Sequence, residues 1–551
     1  MAKKENRKYI FVVGGVISGV GKGITVSSLG LILKNRGLNV TAIKIDPYIN
    51  VDAGTMNPVE HGEVFVLSDG DETDQDMGNY ERFLGVKLTR INYMTTGRVY
   101  KTVIEKERNL EYQGRCVQVV PHIPLEIIDR IKKAGDNANA DVVVVEIGGT
   151  VGEYENILFL EAARMMKIES PGDVIFVMVS YLPTPSTVGE MKTKPTQHAV
   201  RALNTSGIQP DILIARGDTA LDERRKEKLS LFCNMRADRV ISAPDVKSVY
   251  DIPANFEKEG LSEKLCDIMG ITCEKPNEEE WAKWEKFRSQ VHNEKESVKI
   301  AVIGKYFDSG DFVLSDAYIS VIEAIKYSCY ANGQKPELSW LNSVSYEENK
   351  DKLEELREYD GIIVPGGFGS RGVEGKILVA EFARKNKIPY LGLCYGMQIM
   401  VIEYARNVLG LKEANTKEIN LDSKHPVIIT MADQVDKIKN KDYGGSMRLG
   451  EYKALLLDGS IAANAYGKTE IVERHRHRYE VNPEYIKQLE DAGLVFSGRS
   501  PDDVLMEIAE LPKSEHPFFL GTQFHPEFLA HPLNPHPLFS AFIKAAVDNR
   551  K

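Results

Sequence analysis

The chain has 551 residues, of which 42% are hydrophobic and 27% are charged, and its formal net charge is -10. This length predicts at least two domains, and the composition is typical of an ordinary globular protein. The acidic balance, with a pI near 5.7, argues against a general nucleic-acid binder, and no apolar run is long enough to cross a membrane.

The first half of the chain alternates apolar strands with helical stretches. Many of the strands are unbroken Val/Ile runs, which are typical of parallel strands buried on both faces. Alternating strands and helices predict an α/β fold with a doubly wound parallel sheet. Helices are predicted at Gly23–Arg36 and Pro124–Ala134, among others. The predicted strands are Tyr9–Val13, Val40–Ile45, Cys116–Val120, Asp141–Ile147, Asp173–Val179, Asp211–Ala215 and Arg239–Ser242.

A glycine-rich segment, Gly14 to Gly23, joins the first predicted strand to the first predicted helix. Backbone N–H groups of such a loop can cradle phosphates, and Lys22 can reach the terminal phosphates. The segment departs from the common P-loop because the spacing from Gly15 to Gly21 is one residue longer. Gly23 also stands where a magnesium-binding Ser or Thr is usual. The order of strand, loop, lysine and helix still predicts a triphosphate site.

Magnesium ligands are therefore expected elsewhere. Glu146 ends a predicted strand, and the carboxyl ends of parallel strands face the ligand crevice of a doubly wound sheet. Asp76 closes an acidic stretch that fails the EF-hand template, since the sixth position from Asp69 is Asp74 rather than Gly. Such a stretch is ordinarily a solvated loop. With Glu146 opposite, we expect Asp76 and Glu146 to hold Mg²⁺ on ATP phosphates.

The segment Lys192–Gln197 contains two lysines, two threonines and a glutamine. These side chains suit a second triphosphate or the polar edge of a base. The composition is equally compatible with a solvated loop ahead of a helix, so the residues alone leave both interpretations open.

The composition changes at Cys273–Ser297, which is polar and charged and which we interpret as a linker with a short helix. A second strand–helix series begins at Val298–Ile303, continues through Asp360–Val364 and Ile388–Leu393, and ends near Phe519–Phe524. A second doubly wound α/β domain is therefore expected. The predicted organisation is 1–272, an interdomain linker at 273–297, and 298–551.

The six cysteines are scattered and none forms a C-x-x-C pair. We therefore expect neither a structural zinc site nor a disulfide framework, and reduced thiols are typical of a cytoplasmic protein. The cysteines are Cys116, Cys233, Cys266, Cys273, Cys329 and Cys394.

Cys394 is the centre of the most specific pattern in the chain. The apolar run Ile388–Leu393 leads into Gly-x-Cys-x-Gly and then into a helical pattern, which is the cysteine form of a nucleophile elbow. The helix N-terminus favours a thiolate. His525 can accept the thiol proton, and Glu527 can orient the imidazole.

A lone cysteine is more often an ordinary buried residue. Here Cys394 is accompanied by the histidine and glutamate of His-Pro-Glu and by a second Gly-rich strand end at 364–369. The N–H groups of that second loop suit an oxyanion hole. Together these features predict a nucleophilic catalytic site.

From about Lys299 to the C-terminus, these motifs resemble class I glutamine amidotransferases, which hydrolyse glutamine to glutamate and ammonia through a cysteine thioester. The resemblance implies that Cys394, His525 and Glu527 are catalytic. Over nearly its whole length the chain resembles the CTP synthase family. The matching segments are 44–52, 61–66, 146–152, 192–197 and 474–479.

This resemblance implies ATP-dependent amination of UTP to CTP, with phosphorylation at O4 of UTP followed by attack of ammonia at C4. It also implies activation by GTP, feedback inhibition by CTP, and a homotetramer built from two dimers. Filament formation is compatible with such an active enzyme. The ATP residues would be Gly19, Val20, Gly21, Lys22, Gly23, Ile24 and Asp76, with Mg²⁺ on Asp76 and Glu146. The UTP and CTP residues would be Ser18, Glu153, Tyr154, Glu155, Lys192, Thr193, Lys194, Pro195, Thr196, Gln197 and Lys228.

On the glutaminase side the resemblance implies a glutamine site, in which Arg478 would clamp the α-carboxylate, and a GTP-linked position at Arg371. Two residues depart from the family pattern: Tyr154, the middle residue of 153–155, and Tyr395, where leucine is typical. The glutamine residues would be Gly367, Tyr395, Gly396, Met397, Gln398, Glu418 and Arg478.

Two other interpretations are weighed against this one. A different glutamine-dependent ligase, such as a cobyrinate-type amidase, would share both domains, but Lys192–Gln197 argues against it. The second alternative is a non-catalytic filament or scaffold relative. This alternative is disfavoured because the chain keeps Cys394, His525, Glu527 and Lys22.

Overall fold

The computed structural model describes residues 6–187, 189–293, 295–304, 315–367, 369–440 and 444–550. No helix among them is long and apolar enough to cross a membrane. The strands are β1 (Lys8–Gly15), β2 (Val40–Asp46), β3 (Phe65–Val66), β4 (Glu72–Thr73), β5 (Tyr93–Thr95), β6 (Val142–Ile147), β7 (Val174–Tyr181), β8 (Ile212–Gly217), β9 (Val240–Pro244), β10 (Ser297–Gly304), β11 (Lys335–Asn342), β12 (Gly361–Val364), β13 (Tyr390–Leu393), β14 (Ala414–Thr416), β15 (His425–Thr430), β16 (Arg448–Leu456), β17 (Glu470–His477), β18 (Tyr479–Val481), β19 (Val495–Arg499), β20 (Met506–Glu510) and β21 (Phe519–Thr522).

The helices follow the same chain order. They are α1 (Lys22–Lys34), α2 (Pro58–His61), α3 (Asp76–Leu84), α4 (Thr96–Arg108), α5 (Val119–Asn137), α6 (Ile157–Glu169), α7 (Lys194–Thr205), α8 (Glu223–Phe232), α9 (Ile252–Lys258), α10 (Leu261–Met269), α11 (Glu278–His292), α12 (Ile319–Ala331), α13 (Val344–Glu348), α14 (Val373–Asn386), α15 (Tyr395–Asn407), α16 (Val435–Lys439), α17 (Ile461–Tyr466), α18 (Pro483–Asp491) and α19 (Pro537–Asp548).

The chain folds into two compact units, and each unit is built from two separate segments of the sequence. The first unit contains Met1–Asp52 and Asp76–Arg288, and the second contains Ala53–Gln75 and Ser289–Lys551. The boundaries predicted from the sequence differ from this division in two places. The segment Ala53–Gln75 belongs to the second unit, and most of α11 belongs to the first.

The first unit contains a seven-stranded parallel sheet in the order β5-β2-β6-β1-β7-β8-β9. Strands β1 and β6 are buried along their whole length, as their Val/Ile runs predict. They are neighbours in register, with Val12 opposite Glu146. The carboxyl ends of β1 and β6 therefore lie side by side, so the glycine-rich loop and Glu146 lie at one edge of the sheet.

One prediction for this unit is wrong. Cys116–Val120 is not a strand: Val119 already begins α5, and most of the segment is exposed. A short apolar run does not by itself distinguish a strand from a helix start. The helix predicted within the linker segment is α11, whose Trp284 and Phe287 are buried against Tyr250. Two aromatic side chains on one face are enough to pack this otherwise polar helix into the unit.

The second unit contains a nine-stranded mixed sheet in the order β11-β10-β12-β13-β21-β20-β19-β16-β17. The strands from β11 to β21 are parallel, as the strand–helix series predicts. The remaining strands, which the sequence interpretation missed, add to this sheet in antiparallel pairs. Strand β21 therefore lies beside β13, whose end carries Cys394.

Cys266 and Cys273 are joined by a disulfide bond, contrary to the expectation of reduced thiols only. Gly270, at a φ of 63°, ends α10, and the chain turns back so that the two Cα atoms lie 6.2 Å apart. Their spacing of seven residues gives no local sign of this turn. Four cysteines are free: Cys116, Cys233, Cys329 and Cys394.

Candidate active sites

Cys394 lies at a tight turn between β13 and α15, at φ 49° and ψ -98°. A residue other than glycine at positive φ is strained, and such strain is common at active sites. The flanking glycines are needed for space. A Cβ on Gly392 would come within 2.6 Å of the Gly396 backbone, and a Cβ on Gly396 within 2.1 Å of the Val364 carbonyl. The turn is the nucleophile elbow that Gly-x-Cys-x-Gly predicts.

His525 and Glu527 complete the arrangement around the sulfur. His525 Nδ1 donates to Glu527 Oε1 at 2.7 Å, and the imidazole stacks on Phe528. Burial alone would lower the pKa of His525, but the Glu527 carboxylate and the Cys394 side chain raise it to about 10. Within the described residues, His525 Nε2 has no hydrogen-bond partner. The protonated imidazole is therefore ready to give a proton to a leaving nitrogen.

The two loops at the strand ends supply candidate oxyanion donors. Tyr395 is the first residue of α15, and the amides of a first helical turn are not used within the helix. Gly367 follows β12, and the same loop is anchored by the Gly369 N–H, which donates to Glu418 Oε1 at 2.7 Å. Gly366, Gly367, Cys394, His525 and Glu527 line one cavity of about 80 Å³.

The cavity has a second wall that sequence reasoning missed. Pro58, Glu63 and Val64, from the segment Ala53–Gln75, line it together with Arg476. No local pattern identifies this wall, because it comes from the other end of the chain.

Alternate residues of β17 hold this segment in the second unit. Arg476 Nε donates to Glu72 Oε1 at 2.8 Å, and Arg474 Nη1 donates to the Val66 carbonyl at 3.1 Å. The backbone N–H of Ser320 donates to Glu63 Oε2 at 3.2 Å. Two of the segments that resemble the CTP synthase family, 61–66 and 474–479, are therefore in contact.

Two further predicted residues, Arg478 and Arg371, differ in their exposure to solvent. Arg478 is buried and donates to two neutral acceptors, Gln434 Oε1 at 2.9 Å and Ser446 Oγ at 3.0 Å. Arg371 is exposed on the loop before α14.

The unusual Tyr395 has its side chain inside the second unit. It is 2% exposed, and Lys376 Nζ lies 5.6 Å from its ring centroid, which is a cation–π contact. The Tyr395 hydroxyl has no hydrogen-bond partner within the described part of the chain. Burial, with the charges of Glu418 and Glu374, raises the pKa of this phenol, so it stays protonated at neutral pH.

In the first unit, the glycine-rich loop leaves β1 and turns into α1. Val16, Gly19 and Gly21 have φ values of 80°, 68° and 91°, so the loop uses the left-handed region repeatedly. Lys22, the first residue of α1, donates from Nζ to the Gly149 carbonyl at 2.9 Å. Burial lowers the pKa of Lys22. The ammonium is held between the two loops at the sheet edge.

Asp76 and Glu146, the predicted metal ligands, share one cation in the structure. Lys44 Nζ donates to Glu146 Oε1 at 3.1 Å and also to Asp76 Oδ2. Burial raises the pKa of Glu146. For Asp76, burial acts in the same direction, but the Lys44 ammonium outweighs it and lowers the pKa. The sequence interpretation missed two residues of this site. They are Lys44 and Tyr80, whose hydroxyl donates to Glu146 Oε2.

This geometry fits Mg²⁺. Both carboxylates reach the same ammonium, so one cation can lie between them. Among the described residues there is no group of three or more His, Cys, Asp or Glu side chains suited to a metal. Mg²⁺ usually takes one or two carboxylates and completes its octahedron with phosphate oxygens and water.

The structure explains why Gly23 stands where a P-loop usually has Ser or Thr. A Cβ at this position would lie 2.1 Å from Asp76 Oδ1. The space that a Ser or Thr side chain would fill is therefore taken by the Asp76 carboxylate.

The predicted pyrimidine residues are only partly free for a ligand. Lys192 Nζ donates to the exposed Glu190 at 2.7 Å. This hydrogen bond, together with the charges of Lys192, Arg225 and Lys228, lowers the pKa of the Glu190 carboxyl. Thr196 Oγ1 and Ser180 Oγ share a hydrogen bond of 2.8 Å. Lys192 and Lys228 thus lie close to the Glu190 carboxylate, whereas Thr196 is buried and supports the fold.

The other predicted pyrimidine residues lie on exposed turns. Ser18, Tyr154 and Glu155 are exposed, and Glu153 Oε2 accepts from the Thr150 N–H at 2.9 Å. The structure therefore leaves these side chains accessible at the sheet edge.

A cavity of about 360 Å³ beside Gly21 was not predicted. It joins apolar side chains to a few polar groups, the usual lining of a small-molecule site. Its lining includes Gly21, Ile24, Arg216, Pro244, Asp245 and Val246.

Known proteins match both units. Residues 8–271 match the family model "CTP synthase N-terminus", and residues 313–545 match "Glutamine amidotransferase class-I". A CTP synthase of Saccharopolyspora erythraea is 50% identical over 556 residues, covering 100% of this chain and 96% of that protein. A CTP synthase of Sulfolobus acidocaldarius is 49% identical, covering 98% of this chain and 99% of that protein. The solved "Trypanosoma brucei CTPS - glutaminase domain with bound acivicin" is 38% identical and covers 46% of this chain and 96% of that one, with a TM-score of 0.42.

Proposed function

The chain belongs to the CTP synthase family, and on that premise we propose that it converts UTP to CTP with ATP as phosphoryl donor and glutamine as nitrogen donor. The observation that carries the proposal is the similarity over the whole chain combined with two intact sites. The elbow with Cys394, His525 and Glu527 occupies one unit, and the loop with Lys22 and its two carboxylates occupies the other.

The glutaminase steps follow from the first site. The Cys394 sulfur donates an electron pair to the side-chain amide carbon of glutamine, and the carbonyl pair moves to an oxygen held by the N–H groups of Gly367 and Tyr395. When that oxyanion collapses, the C–N bond breaks and His525 protonates the departing nitrogen. Water then attacks the thioester, the C–S bond breaks, and glutamate leaves.

The glutamine side chain must be held while this happens. Arg478 is proposed as the partner of the α-carboxylate, as the family resemblance implies, because a guanidinium can form two parallel hydrogen bonds to a carboxylate. Gln398 is buried, and its Oε1 has no hydrogen-bond partner within the described residues. It is proposed to accept from an N–H of the substrate.

The synthetase steps use the second site. Lys22 is proposed to hold the terminal phosphates of ATP, and the cavity beside Gly21 is proposed to hold its base. Asp76 and Glu146 would hold Mg²⁺, which would offset charge on the phosphates. The γ-phosphoryl group passes to O4 of UTP, ammonia adds at C4, and phosphate leaves with the O4 atom. Lys192 and Lys228 are proposed to bind the UTP triphosphate.

Ammonia has to remain unprotonated to react, which favours an enclosed route. The cavity at Cys394 is walled by Pro58, Glu63 and Val64, and we propose that it receives ammonia as it forms. The segment that supplies this wall is covalently continuous with Asp76.

Regulation and assembly are proposed from the family. CTP would compete with UTP on Lys192 and Lys228, with the turn at Glu153–Glu155 reading the cytosine, and GTP would activate the glutaminase through Arg371. A homotetramer, with filaments as a further assembly, and a cytoplasmic location are part of the same proposal.

Product identification tests the proposed function. With UTP, ATP, glutamine and Mg²⁺, we expect CTP, ADP, phosphate and glutamate in equal amounts, stimulation by GTP and inhibition by added CTP. Glutamine hydrolysis with ATP turnover on an acid substrate but not on UTP would favour the cobyrinate-type ligase. Absence of any glutaminase activity would favour a non-catalytic scaffold.

Replacing Gly23 by serine restores the usual P-loop residue and should nevertheless impair the enzyme. The new side chain would displace the Asp76 carboxylate, so we expect a raised Mg²⁺ requirement and a loss of synthesis of at least about tenfold at limiting Mg²⁺. Titration of rate against Mg²⁺ measures this. Gly172→Ser is the matched control, since a Cβ there meets nothing within 4 Å. Unchanged Mg²⁺ dependence in Gly23→Ser would remove Asp76 from the proposed metal site.

Tyr395 should serve the glutaminase through its backbone N–H alone. We expect Tyr395→Phe, which keeps the ring over Lys376 and removes a hydroxyl without a described partner, to be nearly neutral. Tyr395→Leu should change glutaminase kcat/KM by less than about tenfold, or about 1.4 kcal/mol. A loss of about 10²-fold in Tyr395→Phe, with the fold intact by circular dichroism, would show that the phenol takes part in the chemistry.

A further inference from the structure

Gln523 contacts the reactive sulfur, although the sequence patterns do not single it out. It directly follows β21 and is 1% exposed. Its Nε2 donates to Cys394 Sγ at 3.6 Å, and its backbone N–H donates to the Glu507 carbonyl at 2.8 Å. Strand β21 also holds Cys394 in place, because the Cys394 N–H donates to the carbonyl of Thr522, the last residue of β21, at 2.6 Å. The amide and the sulfur are thus positioned by two paired strands.

A second buried amide determines which end of Gln523 points at the sulfur. Gln398 Nε2 donates to the Tyr479 carbonyl at 3.0 Å and to Gln523 Oε1 at 3.2 Å. A backbone carbonyl only accepts hydrogen bonds, so Gln398 must present its NH₂ group there. Gln523 must then present its oxygen to Gln398 and its NH₂ to Cys394. The orientation follows from the hydrogen-bond network.

A second hydrogen bond at the sulfur has the opposite polarity. Cys394 Sγ donates to the Arg476 carbonyl at 3.8 Å, a contact that suits the thiol, because a carbonyl oxygen repels a negative sulfur. The amide of Gln523 instead favours the thiolate. It does so without a charge that would compete with the His525–Glu527 pair.

We propose that Gln523 is a further catalytic residue of the glutaminase reaction, donating a hydrogen bond to the Cys394 thiolate. The inference rests on the proposed glutaminase function. The bond stabilises the thiolate before attack. It weakens as the sulfur gives its electron pair to the amide carbon, and it forms again when the C–S bond of the thioester breaks and the pair returns to sulfur. Gln523 thus assists both formation and hydrolysis of the thioester.

Gln523→Met tests the proposal, since methionine keeps the length of the side chain and removes the donor. The readout is the rate of Cys394 alkylation by iodoacetamide against pH, in a Cys116→Ser background that removes the exposed free thiol. We expect the pH of half-maximal alkylation to rise by about one unit, the effect of one hydrogen bond to a charged group. Glutaminase activity at pH 7 should fall about tenfold and recover as the pH is raised. Ammonia-dependent synthesis should not change.

Gln523→Glu is the second variant, because it is nearly isosteric and places a carboxylate at the sulfur. Its alkylation midpoint should rise further than that of Gln523→Met. Activity that falls without a shift in either midpoint, and without recovery at high pH, would mean that Gln523 supports only the fold and would overturn the proposal. Unchanged activity with an unchanged midpoint would overturn it as well. Alkylation needs no glutamine, so a wild-type protein that hydrolyses no glutamine would refute the proposed function separately.

Discussion

Replacing Cys394 by alanine should abolish glutamine-dependent CTP synthesis and leave ammonia-dependent synthesis intact. The sulfur forms the thioester, and loss of a covalent nucleophile costs at least about 10³-fold. External ammonia bypasses that step, because amination at C4 needs only the nitrogen. CTP formation is measured with glutamine and with ammonium chloride at the same Mg²⁺ and nucleotide concentrations.

Cys329→Ala is the matched control for this experiment. Cys329 is a free, fully buried cysteine of the same unit, and burial raises its pKa to about 12, so it is an unreactive thiol. Both nitrogen sources should support normal turnover in this variant. If ammonia fails to rescue a folded Cys394→Ala protein, the proposed division of labour between the two units is wrong.

Replacing Lys22 by alanine should abolish synthesis from glutamine and from ammonia alike. Lys22 Nζ lies at the edge of the sheet beside Gly149. Burial lowers the pKa of Lys22, and the nearby Glu146 and Asp76 carboxylates offset part of that effect. Removing a cation that offsets charge in phosphoryl transfer should cost at least about 10²-fold. Glutaminase activity measured alone should persist, because the elbow belongs to the other unit.

Lys34→Ala provides the comparison on the same helix. Lys34 closes α1, where its Nζ donates to the Leu84 carbonyl at 2.5 Å, away from the loop. Its loss should leave the ATP dependence of synthesis unchanged. Normal ammonia-dependent turnover in Lys22→Ala would remove the phosphate-loop assignment.

The sequence alone predicted the parts of both sites that are local in the chain. Gly-x-Cys-x-Gly between a strand and a helix specifies the elbow, because the conformation depends on adjacent residues and on glycines that leave room for backbone. Strand, glycine-rich loop, lysine and helix specify the phosphate loop for the same reason. His525 and Glu527 lie two residues apart, so their pairing is also a local property. The roles of single residues toward ligands stay predictions.

Only the tertiary structure showed which distant segments meet. Arg476 and Glu72 are 404 positions apart, yet they hold the segment Ala53–Gln75 in the second unit. Lys44 meets Glu146, and Gln523 reaches Cys394, because neighbouring strands bring them together. The first residue of α3, Asp76, joins the same lysine. Sheet order and register determine such contacts, and they depend on the packing of the whole chain. A pattern read within a window of ten or twenty residues does not contain that information.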